Sequence, residues 1–424
     1  MTLLAIPSSN GPRRVVYISY DGMSDPLGES QVLPYVRALA DLGHSIELVS
    51  FEKPPHPTPI RKLIHPGVWW TGLRYHKEPT VPATAFDMAQ GAAATTLLIL
   101  VRRAELIHVR SYVAATLALL PSAAFRRPIV FDMRGLWPDE RVEDGTWAPT
   151  GRIFRGAKRM ERTLVGRAAL ITVLTNAMAR TLREDPEFSG RIRAPIHVIP
   201  TCTDLGRFSL EVVPNPELRR TLGSARTLAY VGSFGGRYLA REMARFYLAW
   251  RQHAKPARFL VVSRFDPEPL RSVLREAGVE SELIHRSASH DEVPALIRCA
   301  EAGVFFHPAT RTNCGAAPTK MGEMLASGLA IATNPVGDVP NVVQGGEVGV
   351  VLHQFDESTL DDAARSLAAL SKLPGFPVRA RKTAERWFSL ERGVSAYDRI
   401  YRALGRPAAR ALTDTVWPPD DPVS

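Results

Sequence analysis

Short apolar runs rich in β-branched residues recur along the chain, and they constrain its fold more than any other feature. In the first half they are RVVYISY (14–20), SIELVSF (45–51), ELIHVR (105–110), PIVFDM (128–133) and ALITVLT (169–175). Segments of helical length separate most of them. Nearly continuous apolar runs are typical of strands buried on both faces of a parallel sheet. The pattern predicts an α/β domain with a doubly wound parallel sheet.

The same alternation restarts after a turn-rich segment at 199–220. Strand-like runs then fall at 227–234, 257–263, 281–286, 302–308 and 329–334, and helical patterns fall at 237–253, 267–277 and 290–299. A chain of 424 residues is also too long for one ordinary hydrophobic core. We predict two α/β domains, 1–204 and 205–375. C-terminal helices at 376–404 could cross back to the first domain, and a disordered tail follows at 405–424.

Composition narrows the functional class. The formal net charge is +10 and the pI is near 9.7, which suits nucleic acid, anionic lipid or phosphorylated small molecules. The three cysteines include no Cys-x-x-Cys pair, so they support neither a zinc site nor a disulfide framework and point to a reducing cytoplasm. No continuous apolar run approaches the ~18 residues that span a bilayer. We expect a soluble protein, at most peripheral to a membrane.

Positive charge is concentrated in GRIFRGAKRMERTLVGR (151–167). Arg152, Arg155, Arg159 and Arg162 recur there at helical spacing, and apolar residues mark a different face. A basic amphipathic helix of this kind can lie on a membrane surface. A solvated helix face that also packs on a core is the alternative interpretation.

Polar residues that follow predicted strands are the candidate site residues, because ligands bind outside the carboxyl ends of parallel strands. In YDGMSDPLGESQ (20–31), Gly28 permits close approach of the backbone to a ligand before the first helix. In FDMRGLWPDERVEDGTW (131–147), Asp132 and Arg134 lie in a loop with two tryptophans, a combination that suits a sugar. An ordinary glycine turn and a salt-bridged surface loop are the alternatives.

Two further segments place cations at predicted helix starts, which favour anions. In VGSFGGRYLAREM (231–243) the cation is Arg237. In APTKMGEMLASG (317–328), Pro318 suits the first helical position, Thr319 and Lys320 follow it, and Glu323 comes one turn later. A nucleoside diphosphate fits this order, with its phosphates toward Lys320 and its ribose toward Glu323. The alternative is a surface salt bridge that contributes almost nothing.

These motifs together resemble the retaining glycosyltransferases of family four. The resemblance covers roughly residues 14 to 404 and is strongest in PLGESQVLPYVRALADLGHSIELVS, FDMRGLWPDER and PTKMGEMLASGLAIATN. It implies the GT-B fold, in which two Rossmann-like domains face a central cleft. The first two segments are especially similar to bacterial transferases of cell-surface polysaccharide assembly.

The resemblance also implies roles for individual residues. The implied donor-binding residues are Gly28, Gly232, Ser233, Ser287, Thr319, Lys320 and Glu323. In that family Glu323 would bind the donor ribose, Thr319 and Lys320 the diphosphate, and the main chain at Ser287 the base. The implied catalytic residues are Asp132, Arg134, Arg237 and Lys320, with the cations neutralising the leaving diphosphate.

The sequence departs from the family pattern at four positions. Gly315 stands where the first glutamate of a pair is usual, Glu29 replaces a second glycine, Ser233 replaces an arginine, and Arg134 replaces a histidine. Donor binding is still implied. A catalytically inactive nucleotide-sugar-binding subunit therefore stays open as an alternative.

The function implied is transfer of a sugar from a nucleotide diphosphate sugar to a saccharide or polyprenyl-linked saccharide, with retained configuration. No D-x-D-type cluster follows a strand, so we expect no metal requirement and no other cofactor. The location expected is the cytoplasm, with peripheral contact to anionic membrane through 151–167. A sugar-nucleotide 2-epimerase is a second enzyme interpretation, and a nucleic-acid binder is the weakest one because the motifs after the strands do not suit it.

Overall fold

The chain forms two compact α/β units in a computed structural model that describes residues 11–56, 58–234, 238–404 and 412–418. The first unit comprises Met1–Pro200 and Leu390–Ser424, and the second comprises Thr201–Ser389. The boundary therefore falls just before the predicted one at 204. Of the two C-terminal helices within 376–404, only the second joins the first unit.

The first unit is built on an eight-stranded sheet in the order β3-β4-β2-β1-β5-β6-β7-β8. Its strands are β1 (Arg14–Ser19), β2 (Ser45–Glu52), β3 (Ile60–His65), β4 (Val68–Arg74), β5 (Leu106–Arg110), β6 (Ile129–Asp132), β7 (Leu170–Val173) and β8 (Ile196–Val198). Every neighbouring pair is parallel except β3 and β4, which form an antiparallel pair at one edge. The sequence pattern did not predict β3, β4 or β8. β3 and β8 are the edge strands of the sheet and β4 lies next to β3, so all three belong to its outer parts, where alternating or very short segments suffice.

Helices cover both faces of this sheet. They are α1 (Pro26–Gln31), α2 (Leu33–Asp41), α3 (Thr80–Arg102), α4 (Ser111–Phe125), α5 (Trp137–Glu143), α6 (Arg152–Arg167), α7 (Asn176–Glu184) and, from the end of the chain, α16 (Leu390–Ala403). The predicted helix near 31–42 is thus split in two, since α1 begins at Pro26 and α2 follows at Leu33.

The second unit has a six-stranded parallel sheet in the order β11-β10-β9-β12-β13-β14. Its strands are β9 (Arg226–Val231), β10 (Ala257–Val262), β11 (Leu283–Arg286), β12 (Ala302–Val304), β13 (Ala330–Thr333) and β14 (Gly349–Val351). Its helices are α8 (Pro216–Leu222), α9 (Ala240–His253), α10 (Glu268–Glu276), α11 (Val293–Ile297), α12 (Thr319–Ala326), α13 (Val339–Gly346), α14 (Glu357–Leu370) and α15 (Phe376–Phe388). Numbered from its first strand, the order is 3-2-1-4-5-6, that of a dinucleotide-binding Rossmann sheet. The predicted α/β fold class with doubly wound sheets is confirmed for each unit.

The central strands are buried as the continuous apolar runs predict. In β1 and β2, Val16, Ile18, Leu48 and Val49 are fully buried, and so are Leu228 to Tyr230 in β9. Helices pack on both faces of such strands, so no face alternates with solvent. This burial fixes the carboxyl edges of the two sheets, where the site residues lie.

Residues 412–418 pack against the first unit, although we predicted a disordered tail from 405 onward. Thr415 pairs with His197 of β8, and the Thr415 amide donates to the Ile196 carbonyl at 3.0 Å. The indole of Trp417 is buried, and Asp414 forms an ion pair with Arg183 at 2.6 Å. The tail prediction is therefore wrong for this segment. The sequence of this segment did not predict its packing, because contacts of one tryptophan and one aspartate produce no periodic apolar pattern.

Among the described residues, helix α3 is long and apolar enough to cross a membrane, by length and composition only. The search for continuous apolar runs missed it because small polar residues interrupt the helix. In this fold one face of α3 packs on the unit. Asp87, Gly91 and Thr95 are buried on that face, and Gly91 faces Phe51 and Leu117.

Candidate functional site

The strand order of each sheet reverses at one point, and the predicted site residues fall near those points. In the second unit the reversal lies between β9 and β12, and in the first unit between β1 and β5. Loops after the strands diverge at such a point and leave a crevice at the carboxyl edge. We describe the two clusters separately, as the second-unit cluster and the first-unit cluster.

Lys320 is the centre of the second-unit cluster. It is the second residue of α12, and its side chain is buried against the end of β9. The ammonium Nζ lies 4.1 Å from the ring centre of Tyr230 and 3.8 Å from that of Tyr238. Among the described residues, Nζ has no hydrogen-bond partner. Two aromatic faces therefore hold a cation whose donors are unused.

The position of Gly232 explains how the ammonium fits. Gly232 follows β9 with φ of +124°, and a Cβ built there would lie 2.9 Å from Lys320 Nζ. A side chain at this position would meet both backbone strain and the lysine. Ser233 is exposed beside it, and its carbonyl accepts a hydrogen bond from the Tyr230 hydroxyl. The structure therefore brings Gly232, Ser233 and Lys320 together.

Burial controls the ionisation of Lys320 and Glu323. Desolvation lowers the pKa of Lys320 to about 7, although the Glu323 carboxylate partly opposes this. Desolvation also raises the pKa of Glu323 to about 7, and the charges of Lys320 and Arg207 oppose that shift. Both groups are thus poised near neutrality. Strongly perturbed pairs of this kind are more frequent at functional sites than elsewhere.

The surface salt bridge that we considered as an alternative is not what the structure contains. Lys320 and Glu323 are both buried, at 7% and 9% exposure, and no hydrogen bond joins the ammonium to the carboxylate. Pro318 is the N-cap residue of α12 rather than its first helical residue, and Thr319, half-buried, begins the helix. Thr319 and Lys320 therefore lie in the first turn of α12, a position that favours anions.

Tyr230 and Tyr238 were not predicted. Tyr230 counted as one more apolar residue in its strand, and Tyr238 follows a glycine pair without any periodic signal. The Tyr238 ring also lies 4.8 Å from that of His307, whose backbone is held by two hydrogen bonds of 2.8 Å to the Asn334 side chain. Their nearness to the glycine-bearing turn after β9 is the signal that could have found them, since Tyr230 precedes Gly232 and Tyr238 follows the glycines at 235 and 236.

Two predicted residues are not part of this cluster as described. Ser287 follows β11, the edge strand, with β10 between it and β9, and its side chain is exposed. Arg237 lies outside the described residues. Their predicted roles remain predictions.

The first-unit cluster contains Asp132 and Arg134. Asp132 ends β6, is buried, and accepts a hydrogen bond of 3.3 Å from Thr172. Arg134 lies 3.5 Å from Asp132 and donates to Gln31 at 2.8 Å. Burial opposes the charged form of Arg134, yet the Asp132 carboxylate raises its pKa above the usual value. Arg110 donates to the same Gln31 oxygen at 2.6 Å, so two guanidinium groups converge there.

Aromatic side chains wall the small cavity into which this cluster opens. Its lining includes Tyr17, Tyr35, His108 and Tyr397 besides Asp132 and Arg134. The His108 ring lies 4.3 Å from Tyr17 and 5.0 Å from Tyr397, and burial lowers the pKa of His108 to about 4. His108 is therefore neutral at pH 7. The cavity combines one ion pair with apolar walls, a combination that suits a polar ligand with an apolar face.

Gly28 does not lie in the loop where we predicted it. It is the third residue of α1, and a Cβ there would lie 2.1 Å from the Gly22 carbonyl oxygen. Close packing of α1 on the loop after β1 therefore explains the glycine without a ligand. Glu52 holds the same loop, since its carboxylate accepts the Met23 amide at 2.7 Å.

The segment 131–147 also differs from the loop that we predicted, since it contains α5. Trp137 begins that helix, and its ring lies 5.0 Å from Trp147 and 5.6 Å from Tyr112. The two tryptophans therefore pack on each other and on the unit. Of this segment, Asp132 and Arg134 remain as candidates for ligand contact.

No group of three or more His, Cys, Asp or Glu side chains could hold a metal ion within the part of the chain that the structure describes. The cysteines Cys202, Cys299 and Cys314 form no disulfide. The cations of the two clusters, Lys320 in the second unit and Arg134 and Arg110 in the first, could neutralise a phosphate.

Helix α6 orients its charges in two directions. Arg152, Arg155 and Arg159 are exposed, whereas Lys158 is buried in ion pairs that include Glu161. The apolar residues do not all lie on the buried face, since 53% of Ile153 is exposed. Whether the exposed basic face contacts a membrane stays a prediction.

Two family models match the chain, one for each unit. The glycosyl transferase 4-like domain matches residues 28–202, and glycosyl transferases group 1 matches residues 225–369. The two matched segments cover most of the chain and leave out residues 1–27, the segment 203–224 between the matches, and the C-terminal part from 370 onward. No curated protein sequence matches.

Solved structures with the same fold span both units. Sucrose-phosphate synthase from Thermosynechococcus elongatus has a TM-score of 0.72 at 16% identity, with 92% of this chain and 99% of that chain covered. Anabaena HepE in complex with UDP and glucose has a TM-score of 0.64 at 13% identity, with 92% and 100% covered. WaaG, a glycosyltransferase involved in lipopolysaccharide biosynthesis, has a TM-score of 0.61 at 16% identity, with 91% and 99% covered. At these identities the likeness shows a shared fold.

Proposed function

The chain belongs to the glycosyltransferases of the GT4 type with the GT-B fold, and from this premise we propose that it transfers a sugar from a nucleotide diphosphate sugar. The acceptor is a saccharide or a polyprenyl-linked saccharide, and the configuration at the transferred carbon is retained. The reaction serves cell-surface polysaccharide biosynthesis, and the enzyme is a retaining hexosyltransferase.

The observation that carries this proposal is the buried ammonium of Lys320 at the start of α12. Its donors are unused within the described residues, and it lies beside Gly232 at the point where the strand order reverses. An unpaired buried cation is costly, so a ligand that supplies the missing negative charge is the simplest reason for it. A diphosphate supplies that charge, and a helix start such as that of α12 favours anions.

The remaining donor contacts follow from the order of residues along α12. Thr319 and Lys320 both contact the diphosphate, and Glu323, one turn further along the helix, accepts hydrogen bonds from the ribose hydroxyls. The leaving diphosphate gains negative charge as the bond to the sugar breaks, and Lys320 together with Arg237 stabilises it electrostatically. HepE, whose structure contains UDP and glucose, supports a nucleotide-sugar donor for this fold. Main-chain groups at Ser233 and Ser287 complete the donor contacts.

The first-unit cluster orients the acceptor. Asp132 is an acceptor of hydrogen bonds, and Arg134 is a donor that Asp132 and Gln31 hold in place. Acceptor hydroxyls can bond to either group, while Tyr17 and Tyr397 provide apolar walls for a sugar face.

Neither a metal nor another cofactor is required in this proposal, because Lys320 and Arg237 supply the positive charge that a metal would bring. The enzyme works in the cytoplasm at the inner face of the membrane. The exposed arginines of α6, within 151–167, support peripheral contact with anionic lipid.

Calorimetric titration with UDP, GDP, ADP and dTDP, at two salt concentrations and without added metal, tests donor binding. We expect one diphosphate to bind with much higher affinity than the others, and we expect that affinity to fall as the salt concentration rises. The nucleotide sugar of that base is then incubated with saccharide acceptors, and release of the diphosphate is measured. Absence of binding by all four diphosphates would overturn the proposal.

Glu323→Ala separates the ribose role from general damage to the site. Loss of two hydrogen bonds to the ribose should weaken nucleotide binding about tenfold or more. The matched control is Glu211→Ala, at an exposed carboxylate of the same unit, which should bind as the wild type does. Equal affinity of the Glu323→Ala variant and the wild type would refute the ribose role.

A catalytically inactive nucleotide-sugar-binding subunit is the second candidate function. Gly315, buried in a short 3₁₀ turn at Arg311–Gly315, leaves no carboxylate where the first glutamate of the family pair would stand. Donor binding without turnover for any acceptor would favour this candidate. Turnover with one acceptor would exclude it.

A further inference from the structure

The outward face of α3 is apolar over almost its whole length. Every exposed residue from Val81 to Val101 is a valine, proline, alanine, phenylalanine or leucine. The largest are more than half exposed: Val81 62%, Phe86 53%, Leu97 59%, Leu100 51% and Val101 64%. At 1.5 Å per residue this stripe is about 30 Å long. Contiguous apolar patches of such extent on a protein surface mark interaction sites.

Helix α3 belongs to a layer that also contains α4 and α6. It packs against α4, and α4 packs against α6. The three helices follow crossovers from β4 to β5, from β5 to β6 and from β6 to β7, which run in one direction across the sheet. Right-handed crossovers in one direction place their helices on the same face. We call this surface the α3–α4–α6 layer.

In the α3–α4–α6 layer the acidic side chains are buried and the basic ones are exposed. The three helices contain two acidic residues, Asp87 and Glu161, and both are fully buried. Exposed arginines lie along α6, at Arg152, Arg155 and Arg159. Others lie at or just after the C-terminal ends of α3 and α4, at Arg102, Arg103 and Arg126. Leu120 of α4, 75% exposed, extends the apolar stripe toward these ends. The outward surface of the layer is thus apolar and cationic without exposed carboxylates on its helices.

We propose that the α3–α4–α6 layer docks on an anionic bilayer surface, with the apolar stripe of α3 entering the interface and the arginines contacting lipid phosphates. Apolar burial and attraction to anionic lipid add in such binding. A second copy of the chain fits this surface less well, because a symmetric contact would bring like arginines together with no exposed carboxylate of the layer to pair with them. The proposal extends the membrane contact of the proposed function and does not depend on glycosyl transfer.

Co-sedimentation of the whole protein with vesicles tests this docking. We expect binding to vesicles of phosphatidylglycerol and phosphatidylcholine and weak binding to phosphatidylcholine alone. The variant Leu97→Ser, Leu100→Ser, Val101→Ser should lose about tenfold or more in partitioning, because three apolar side chains leave the interface. The matched control is Val213→Ser, Leu373→Ser, Val378→Ser, at residues that are 77%, 47% and 50% exposed in the second unit. It should bind vesicles as the wild type does.

Further variants make each outcome decisive. Arg152→Gln, Arg155→Gln, Arg159→Gln should abolish the preference for anionic vesicles. The single substitution Val101→Asp, at an exposed residue, repeats the test should the triple serine variant not fold. Calorimetric nucleotide binding should be the same in all variants, so loss of docking is distinguishable from failure of the proposed function. Wild-type binding unaffected by the α3 substitutions would overturn the proposal, and so would a dimer that the serine variant converts to a monomer.

Discussion

The ammonium of Lys320 lies 3.8 Å from the ring centre of Tyr238, and it has no hydrogen-bond partner within the described residues. Tyr230 holds the same ammonium at 4.1 Å. Burial lowers the pKa of Lys320 to about 7, and the Glu323 carboxylate partly opposes this shift. The free protein therefore carries a lysine that is close to half-protonated at neutral pH.

Diphosphate binding should take up a proton at pH 8. The negative ligand raises the pKa of Lys320 above its value of about 7 in the free protein, so a lysine that is largely neutral becomes charged. Affinity should accordingly fall as the pH rises above about 7. Calorimetry at pH 8 in buffers of different ionisation enthalpy measures the proton, and Lys320→Met is the control that should show no uptake. Full affinity at pH 8 without proton uptake would contradict this account.

The stability of the protein should carry opposite pH dependences from Glu323 and Lys320. The pKa of Glu323 is raised from 4.5 to about 7, so the folded state binds more protons than the unfolded state between these values, and stability falls as pH rises. The pKa of Lys320 is lowered from 10.5 to about 7, so the folded state binds fewer protons and stability rises from pH 7 toward 10.5. The two contributions together are least favourable near pH 7.

Urea denaturation from pH 5 to 9 measures this dependence. Subtracting the free energies of unfolding of Lys320→Met, Glu323→Gln from those of the wild type removes the contributions of all other groups. We expect a difference with a minimum near pH 7 and slopes of at most about 1.4 kcal/mol per pH unit. A difference that does not vary with pH would show that neither group is buried as described.

Breaking the buried ion pairs of Lys158 should destabilise the first unit. Its ammonium contacts Asp139 at 2.8 Å and Glu187 at 3.0 Å and also pairs with Glu161, which is fully buried. Lys158→Met leaves Glu161 without its cation, and such losses cost about 3 to 5 kcal/mol. Denaturant unfolding checks this. Arg155→Met, at an exposed position of the same helix, is the control and should change stability by about 0.5 kcal/mol or less.

The sequence predicted the buried strands well because their signal is local. Apolar runs such as those around Val16 and Leu228 need no knowledge of their neighbours, since both faces are covered. The edge strands β3 and β8 were missed because edge strands carry weaker or shorter patterns. Gly28 was predicted to be a loop glycine because the sequence does not show that α1 begins at Pro26 and packs against the Gly22 carbonyl.

The candidate site was predictable only in part for the same reason. Thr319, Lys320 and Glu323 lie within one helix turn, so their order along the chain revealed them. Tyr230 and Tyr238 contact Lys320 but belong to a strand and a loop that are far from it in the sequence, and no spacing rule connects them to Lys320. The spacing of the arginines in the sequence predicted the exposed basic face of α6. The burial of Lys158 could not be predicted, because it depends on Asp139 and Glu187 in other segments.

Trp417→Ala should destabilise the first unit, because the segment around Trp417 covers the edge strand β8. The indole is 4% exposed, and the backbone of Trp417 exchanges hydrogen bonds of 2.9 and 2.6 Å with the Asn176 side chain. Removing a buried tryptophan costs about 3 to 5 kcal/mol, and release of the segment would uncover unpaired groups of β8. Urea unfolding measures the loss. Val416→Ala, at a residue 63% exposed, is the matched control. Equal stability of the two variants would show that the segment does not hold the edge in solution.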